Sequence, residues 1–201
     1  MKNVLLVSDG LVHPTLTARR ALYRTLSGLD GFSIQRTTSL EALPNHLDGL
    51  SALVIYIHHK RISDRALTAL AAFVSGGGGL LGVHSATASF KDQARYAEIL
   101  GGRFTGHDRV QRFEITPQPD AGPFTGLPAF TIRDELYLHE LQPGVDVHFT
   151  STYQSQNVPV VWTHRYGQGR VCYAVPGHTT TSLRHPTVRE ILTRGLTWVA
   201  S

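Results

Sequence analysis

Three continuous apolar runs mark the first half of the chain: Val4–Ser8, Ala52–Ile57 and Leu80–Val83. Each is short, lacks alternation and ends in polar or turn-forming residues, the pattern of a strand buried on both faces of a parallel sheet. Helical spacing fills the intervals. Ala18, Leu22, Leu26 and Leu29 share one face behind Pro14. Leu67, Leu70, Ala71 and Val74 share another behind Ser63, a predicted N-cap, and Gly76 to Gly79 close that helix. Phe32–Thr38 alternates like a strand. After Leu80–Val83 the chain turns sharply at His84-Ser85-Ala86 into a helix around Asp92–Leu100. Strand and helix in alternation predict parallel βαβ units with right-handed crossovers.

The second half is richer in strands, predicted at Gln111–Thr116, Asp146–Tyr153, Val158–His164 and Gly169–Val175, with Gly167 and Gly169 suited to a hairpin between the last two. Pro186, then Thr187 with Glu190 three residues on, predict a capping-box start to a final helix ending at Val199. No repeat or linker interrupts the 201 residues, so residues 1–201 read as a single α/β domain with extra antiparallel strands in its second half.

Ligands of such sheets sit beyond the carboxyl ends of the parallel strands. Those ends here are Asp9–His13, His58-His59, His84-Ser85 and, if the last strand is parallel too, Gly177-His178. Histidine recurs at all four, which gives meaning to an otherwise odd count of eleven histidines. The remaining composition mainly excludes. The single cysteine, Cys172, permits no internal disulfide and suits a reducing, cytoplasmic setting. The apolar run after Met1-Lys2-Asn3 is too short for a signal-peptide core, and no stretch approaches the ~20 apolar residues of a membrane helix. The net charge of +4 is spread without a basic run carrying interleaved aromatics, so neither membrane nor nucleic acid is an expected partner.

Several segments carry candidate chemistry. Gly82-Val83-His84-Ser85-Ala86 has small residues flanking a turn that projects its middle side chain over the sheet edge, the place of a nucleophile in hydrolases of this shape. His178, after a predicted strand, would face the same crevice. In Asp134-Glu135-Leu136-Tyr137-Leu138-His139-Glu140, an extended backbone puts Glu135, Tyr137 and His139 on one face, fit for a cation or for acid–base work. His107-Asp108 follows a helix, and His13-Pro14 follows Asp9-Gly10. Each has a structural alternative: a turn histidine bonded to backbone, or a solvated acidic loop. His164 reads as structural, and His46, His148 and His185 as surface. Cys172, flanked by apolar strand residues, reads as inert. No zinc signature is present, so a metal rests only on how many imidazoles and carboxylates could converge.

Together Val4–Gly10 with His13-Pro14, Gly77–Ala86, Leu100–Phe104, Asp134–Tyr137, and Gly167–Val171 leading to Gly177-His178 resemble the ThuA-like, or trehalose-utilisation, family, in order and over nearly the whole chain. The resemblance implies a flavodoxin-like three-layer sandwich similar to class I glutamine amidotransferases. In this chain His84 stands where those enzymes carry a nucleophilic cysteine, and Thr180 stands where a carboxylate follows the late histidine by two residues. Glutamine hydrolysis through a thioester is therefore not expected. The family name implies disaccharide or keto-sugar catabolism. The leading expectation is an enzyme on a sugar or polyol, with His84, His178 and Glu135 catalytic. Asp9, His13, Ser85, Tyr137 and His139 would bind substrate, and a divalent ion such as zinc, with His107 a candidate ligand, would assist. The rivals are a non-catalytic sugar-binding or interaction protein using Trp162, Tyr166 and Tyr173 as stacking faces, and a hydrolase using Ser85 with His178 as base. An exposed apolar face on the last helix would make a homodimer.

Overall fold

The computed structural model describes residues 1–10 and 14–201. The apolar runs become β1 (Lys2–Asp9), β3 (Leu50–Ile57) and β4 (Gly79–Val83), with β2 (Phe32–Thr37) on the outside. The remaining strands are β5 (Gly102–His107), β6 (Gln111–Pro117), β7 (Phe130–Asp134), β8 (Tyr137–Leu141), β9 (Asp146–Tyr153), β10 (Gln156–Tyr166) and β11 (Gly169–Ala174). Nine strands form one sheet in the order β2-β1-β3-β4-β11-β10-β9-β6-β7. The first five are mutually parallel, as the flavodoxin-like reading requires, and the last four continue the sheet antiparallel. β5 and β8 pair with each other in a separate ribbon.

Helices α1 (Leu16–Ser27), α4 (Thr180–Arg184) and α5 (Pro186–Val199) pack together on one face, while α2 (Asp64–Ser75) and α3 (Ala94–Leu100) pack together on the other. This is the expected three-layer arrangement. Ser63 caps α2 through its hydroxyl, as predicted. The start of α5 differs: Pro186 is its first residue, and the cap is the His185 ring, which accepts from the Thr187 N–H, so Thr187 lies inside the helix. Gly79 belongs to β4 and not to the preceding turn, since it pairs with Ala52 of β3, and a side chain there would collide with the Val199 carbonyl.

The last helix does not carry an exposed apolar face. Val188, Ile191, Leu192, Leu196 and Val199 are buried, and α5 packs on β4 and β11. Gly195 allows that close approach, since a Cβ there would sit 3.0 Å from Cys172 Sγ. Cys172 is fully buried, and burial pushes its thiol pKa well up, in keeping with an inert role. No described helix is long and apolar enough to cross a membrane.

Candidate functional site

His84 follows β4 directly, at the carboxyl edge of the parallel strands, and its φ is +43°. A non-glycine residue in that region costs on the order of 1–3 kcal/mol and persists only where neighbours enforce it. Three hydroxyls enforce it here. Tyr173 donates to the His84 carbonyl at 2.6 Å, Ser89 to Ser85 at 3.2 Å, and Tyr96 to Ala86 at 3.1 Å. The glycines make room. A Cβ on Gly82 would meet Leu100 and Tyr173 at 2.9 Å, and one on Gly177 would meet His84 Cβ at 2.8 Å. The small-residue pattern read from the sequence is therefore a packing requirement.

The His84 ring is fully buried, with Nδ1 2.8 Å from the Val175 carbonyl. A carbonyl only accepts, so Nδ1 carries a proton, and Nε2 is the ring atom turned toward the cluster. Nε2 lies 3.7 Å from Glu135 Oε2. The same oxygen lies 3.0 Å from His178 Nδ1, and Oε1 lies 3.8 Å from His107 Nδ1. One carboxylate thus gathers three imidazoles. Tyr137 covers the cluster, its ring 4.1 Å from that of His84. Accessibility grades outward, from 0% for the His84 side chain through 15% for Glu135 and 26% for His178 to 48% for His107.

A second carboxylate fixes the loop that carries His178. Asp134, fully buried at the end of β7, accepts the backbone N–H groups of Gly177 (2.9 Å), His178 (3.1 Å) and Glu135 (2.8 Å). Burial raises its pKa to about 6, and the bonds from Gly177, Ser182 and Glu135 oppose that rise. Tyr56 donates to the Gly177 carbonyl from β3. Consecutive acids thus hold the backbone and the ring of one histidine. The carboxylate missing two residues beyond His178 has a spatial counterpart in Glu135. Nothing in the sequence pointed to the clamping role of Asp134, because its partners are backbone groups more than forty residues away.

Other predicted residues lie elsewhere. His139 faces away from the cluster, with Nε2 2.9 Å from Thr87 Oγ1, which is 2.8 Å from Tyr173 Oη. Thr87 Oγ1 and Tyr173 Oη both reach the His84 carbonyl, at 3.4 and 2.6 Å, so His139 is linked to the elbow through this hydroxyl pair. Burial lowers the His139 pKa to about 3, so the ring is neutral. Asp9 joins a second group, 3.1 Å from His59 Nε2 and 3.7 Å from an Arg19 nitrogen. Ser85 is buried, and its Oγ has no hydrogen-bond partner among the described residues. His13 lies outside the described residues. Trp162 and Tyr173 are fully buried and stacked on each other at 4.3 Å, so they offer no stacking face to a sugar. His148 is not a surface residue: it is buried, 2.7 Å from Thr163 Oγ1. His164 is structural as expected, its Nε2 3.0 Å from the Ile99 carbonyl. His58, absent from the predicted site set, has its pKa lowered by burial and by nearby Lys91, while Glu135 acts in the opposite direction.

Solved structures share this fold. A ThuA-like protein from Parabacteroides merdae superposes with a TM-score of 0.87 at 16% identity, over 100% of this chain and 90% of its own. A ThuA-like protein from Bacteroides uniformis gives 0.81 at 19% identity, over 99% and 91%. A cytoplasmic protein from Salmonella typhimurium LT2 gives 0.74 at 13% identity, over 99% of each chain. No curated protein matches in sequence. The family model described as trehalose utilisation matches residues 3–199, and the chain belongs to that ThuA family.

Proposed function

We propose that His84, Glu135 and His178 form the catalytic centre of an enzyme acting on a carbohydrate, and that they hold a divalent cation, zinc for preference. One observation carries the reading: side chains from three separate segments converge on one point at the carboxyl edge of the parallel strands, with ligand atoms within 4.8 Å of one another. A role in sugar utilisation holds at the level of the family, which supports the substrate class. Two imidazoles and one carboxylate are a donor set of catalytic zinc, which keeps a fourth position for water or substrate. A bound cation supplies Lewis acidity toward a carbonyl or hydroxyl oxygen.

The protein's own groups supply the rest. The Val175 carbonyl orients the His84 ring, and Tyr137 packs against it. His107, half-exposed at the rim, has Nδ1 2.9 Å from the Asp108 carbonyl and 3.8 Å from Glu135 Oε1, an imidazole set between the centre and solvent for proton transfer. Proton removal beside a carbonyl is the step shared by isomerisation, elimination and hydrolysis of a keto-sugar. Imidazole at the elbow provides no thiolate, so thioester chemistry has no place in the reading.

The test is elemental analysis of protein purified without an affinity tag, together with turnover of keto-disaccharides. Wild type is expected to carry near-stoichiometric metal. His84→Ala and Glu135→Gln are expected to lose it, and turnover with it, by about 10²–10⁴-fold. Full turnover in Glu135→Gln would sink the catalytic reading. Metal-free protein whose turnover still depends on Glu135 would remove the cation and leave acid–base chemistry.

A further inference from the structure

A groove of about 650 Å³ opens beside the carboxyl ends of β1 and β2, lined by Ser8, Arg19, Arg20, Arg36, Thr37 and Thr38 among others. That volume lies within the range of small-molecule sites. Three guanidinium groups line it, and no acidic side chain does among the described residues. Asp9, at the end of β1, pairs with Arg19 and His59. Arg20 and Arg36 have no carboxylate partner among the described residues. Arg36 is held by stacking on Tyr23, with 4.4 Å between the guanidinium carbon and the ring centroid. Arg19 is held at the groove wall by Asp9 and by the Gly10 carbonyl, 3.4 Å from its Nη1. Leu16, the first residue of α1, also lines the groove, so the positive end of that helix adds to the field.

We propose that this groove binds an oxyanion, the phosphate or carboxylate group of an anionic sugar. Guanidinium forks match either group, and the threonine hydroxyls at the end of β2 supply neutral donors. The groove adjoins the catalytic edge through Arg19, which pairs with Asp9 and lies close enough to lower the Tyr56 pKa that burial has raised. Identifying the anion as part of a sugar rests on the carbohydrate reading above; binding of the anion does not.

Calorimetry at constant ionic strength, titrating inorganic phosphate in one arm and acetate in the other, tests the groove directly. Saturable binding is expected, weakened at least tenfold in the double variant Arg20→Gln/Arg36→Gln. Both residues are largely outside the core, so that variant should keep the wild-type circular dichroism and melting temperature. Phosphate binding alone assigns a phosphoryl group, and acetate binding alone a carboxylate. The same binding in Glu135→Gln separates the groove from the catalytic proposal, since it survives there even if turnover does not depend on Glu135. No saturable binding in either arm, or equal affinity in the double arginine variant, overturns the proposal.

Discussion

In β4 every residue is buried, and β3 is buried from Ala52 onward, whereas β6 and β7 bury only alternate positions. The two regions contribute different chemistry to one centre. The parallel strands deliver imidazoles at their carboxyl ends, His84 after β4 and His178 after β11. The antiparallel extension delivers carboxylates, Asp134 at the end of β7 and Glu135 in the link to β8. A sheet buried on both faces is a rigid frame, able to hold a strained turn. The extension, with one solvated face, leaves Glu135 partly exposed at the rim of that frame, while Asp134 is fully buried and its desolvation is offset by backbone N–H donors. The centre exists only where the two meet.

The joint between them should be the most sensitive point. Asp134→Ala leaves the N–H groups of Gly177 and His178 without their buried acceptor, and a loss of about 3 kcal/mol is expected by chemical denaturation. Asp134→Asn, which keeps one carbonyl acceptor, should lose less. Equal stability of Asp134→Ala and wild type would show that the clamp does not join the halves.

Glycines sharpen the contrast. Gly82→Val in β4 drives a side chain into Leu100 and Tyr173 and should cost about 2 kcal/mol. Gly106→Ala in β5 meets nothing within 4 Å and should change stability by less than about 0.5 kcal/mol. Equal melting temperatures for the two variants would contradict the claim that only the parallel frame is tightly packed at these positions.

The smallest net effect concerns pH, because two buried groups titrate with opposite sign. His139 stays neutral in the folded protein down to about 3, while the unfolded chain binds its proton near 6.5. Its contribution is present above 6.5 and is lost as pH falls toward 3, at up to about 1.4 kcal/mol per pH unit. Asp134, raised to about 6, acts with the opposite sign: stability falls as pH rises from about 3.8 to 6. Between about pH 6 and 4.5 the two slopes oppose each other in wild type, so His139→Gln should leave the Asp134 slope uncovered, with stability rising as pH falls through that window in melting curves. An unchanged slope would remove His139 from the account.

Legibility followed the same division. β1, β3 and β4 announced themselves as apolar runs, α1 and α2 by the spacing of their buried residues, and α5 by the Pro186 start signal. β5 and β7 did not appear in the sequence reading, and β8 entered it only as the condition that Asp134–Glu140 be extended. β5 and β8 pair only with each other, and β7, at the sheet's far edge, is too short for its alternation of Phe130, Ile132 and Asp134 to stand out. The elbow at His84 was legible because Gly82 and Ala86 are demanded by local sterics. His178 was legible from its place after a strand. That Glu135 faces both histidines, while His139 two turns of the alternation later serves the elbow from behind, was not.

By itself the sequence determined the strands and helices of the parallel frame and the edge on which histidines gather, because burial and turn sterics act between near neighbours in the chain. Only the tertiary structure decided which carboxylate meets which imidazole, and that Asp134 grips backbone rather than ligand. Those pairings join residues more than forty positions apart, and their partners include backbone groups that every residue carries and no sequence pattern distinguishes.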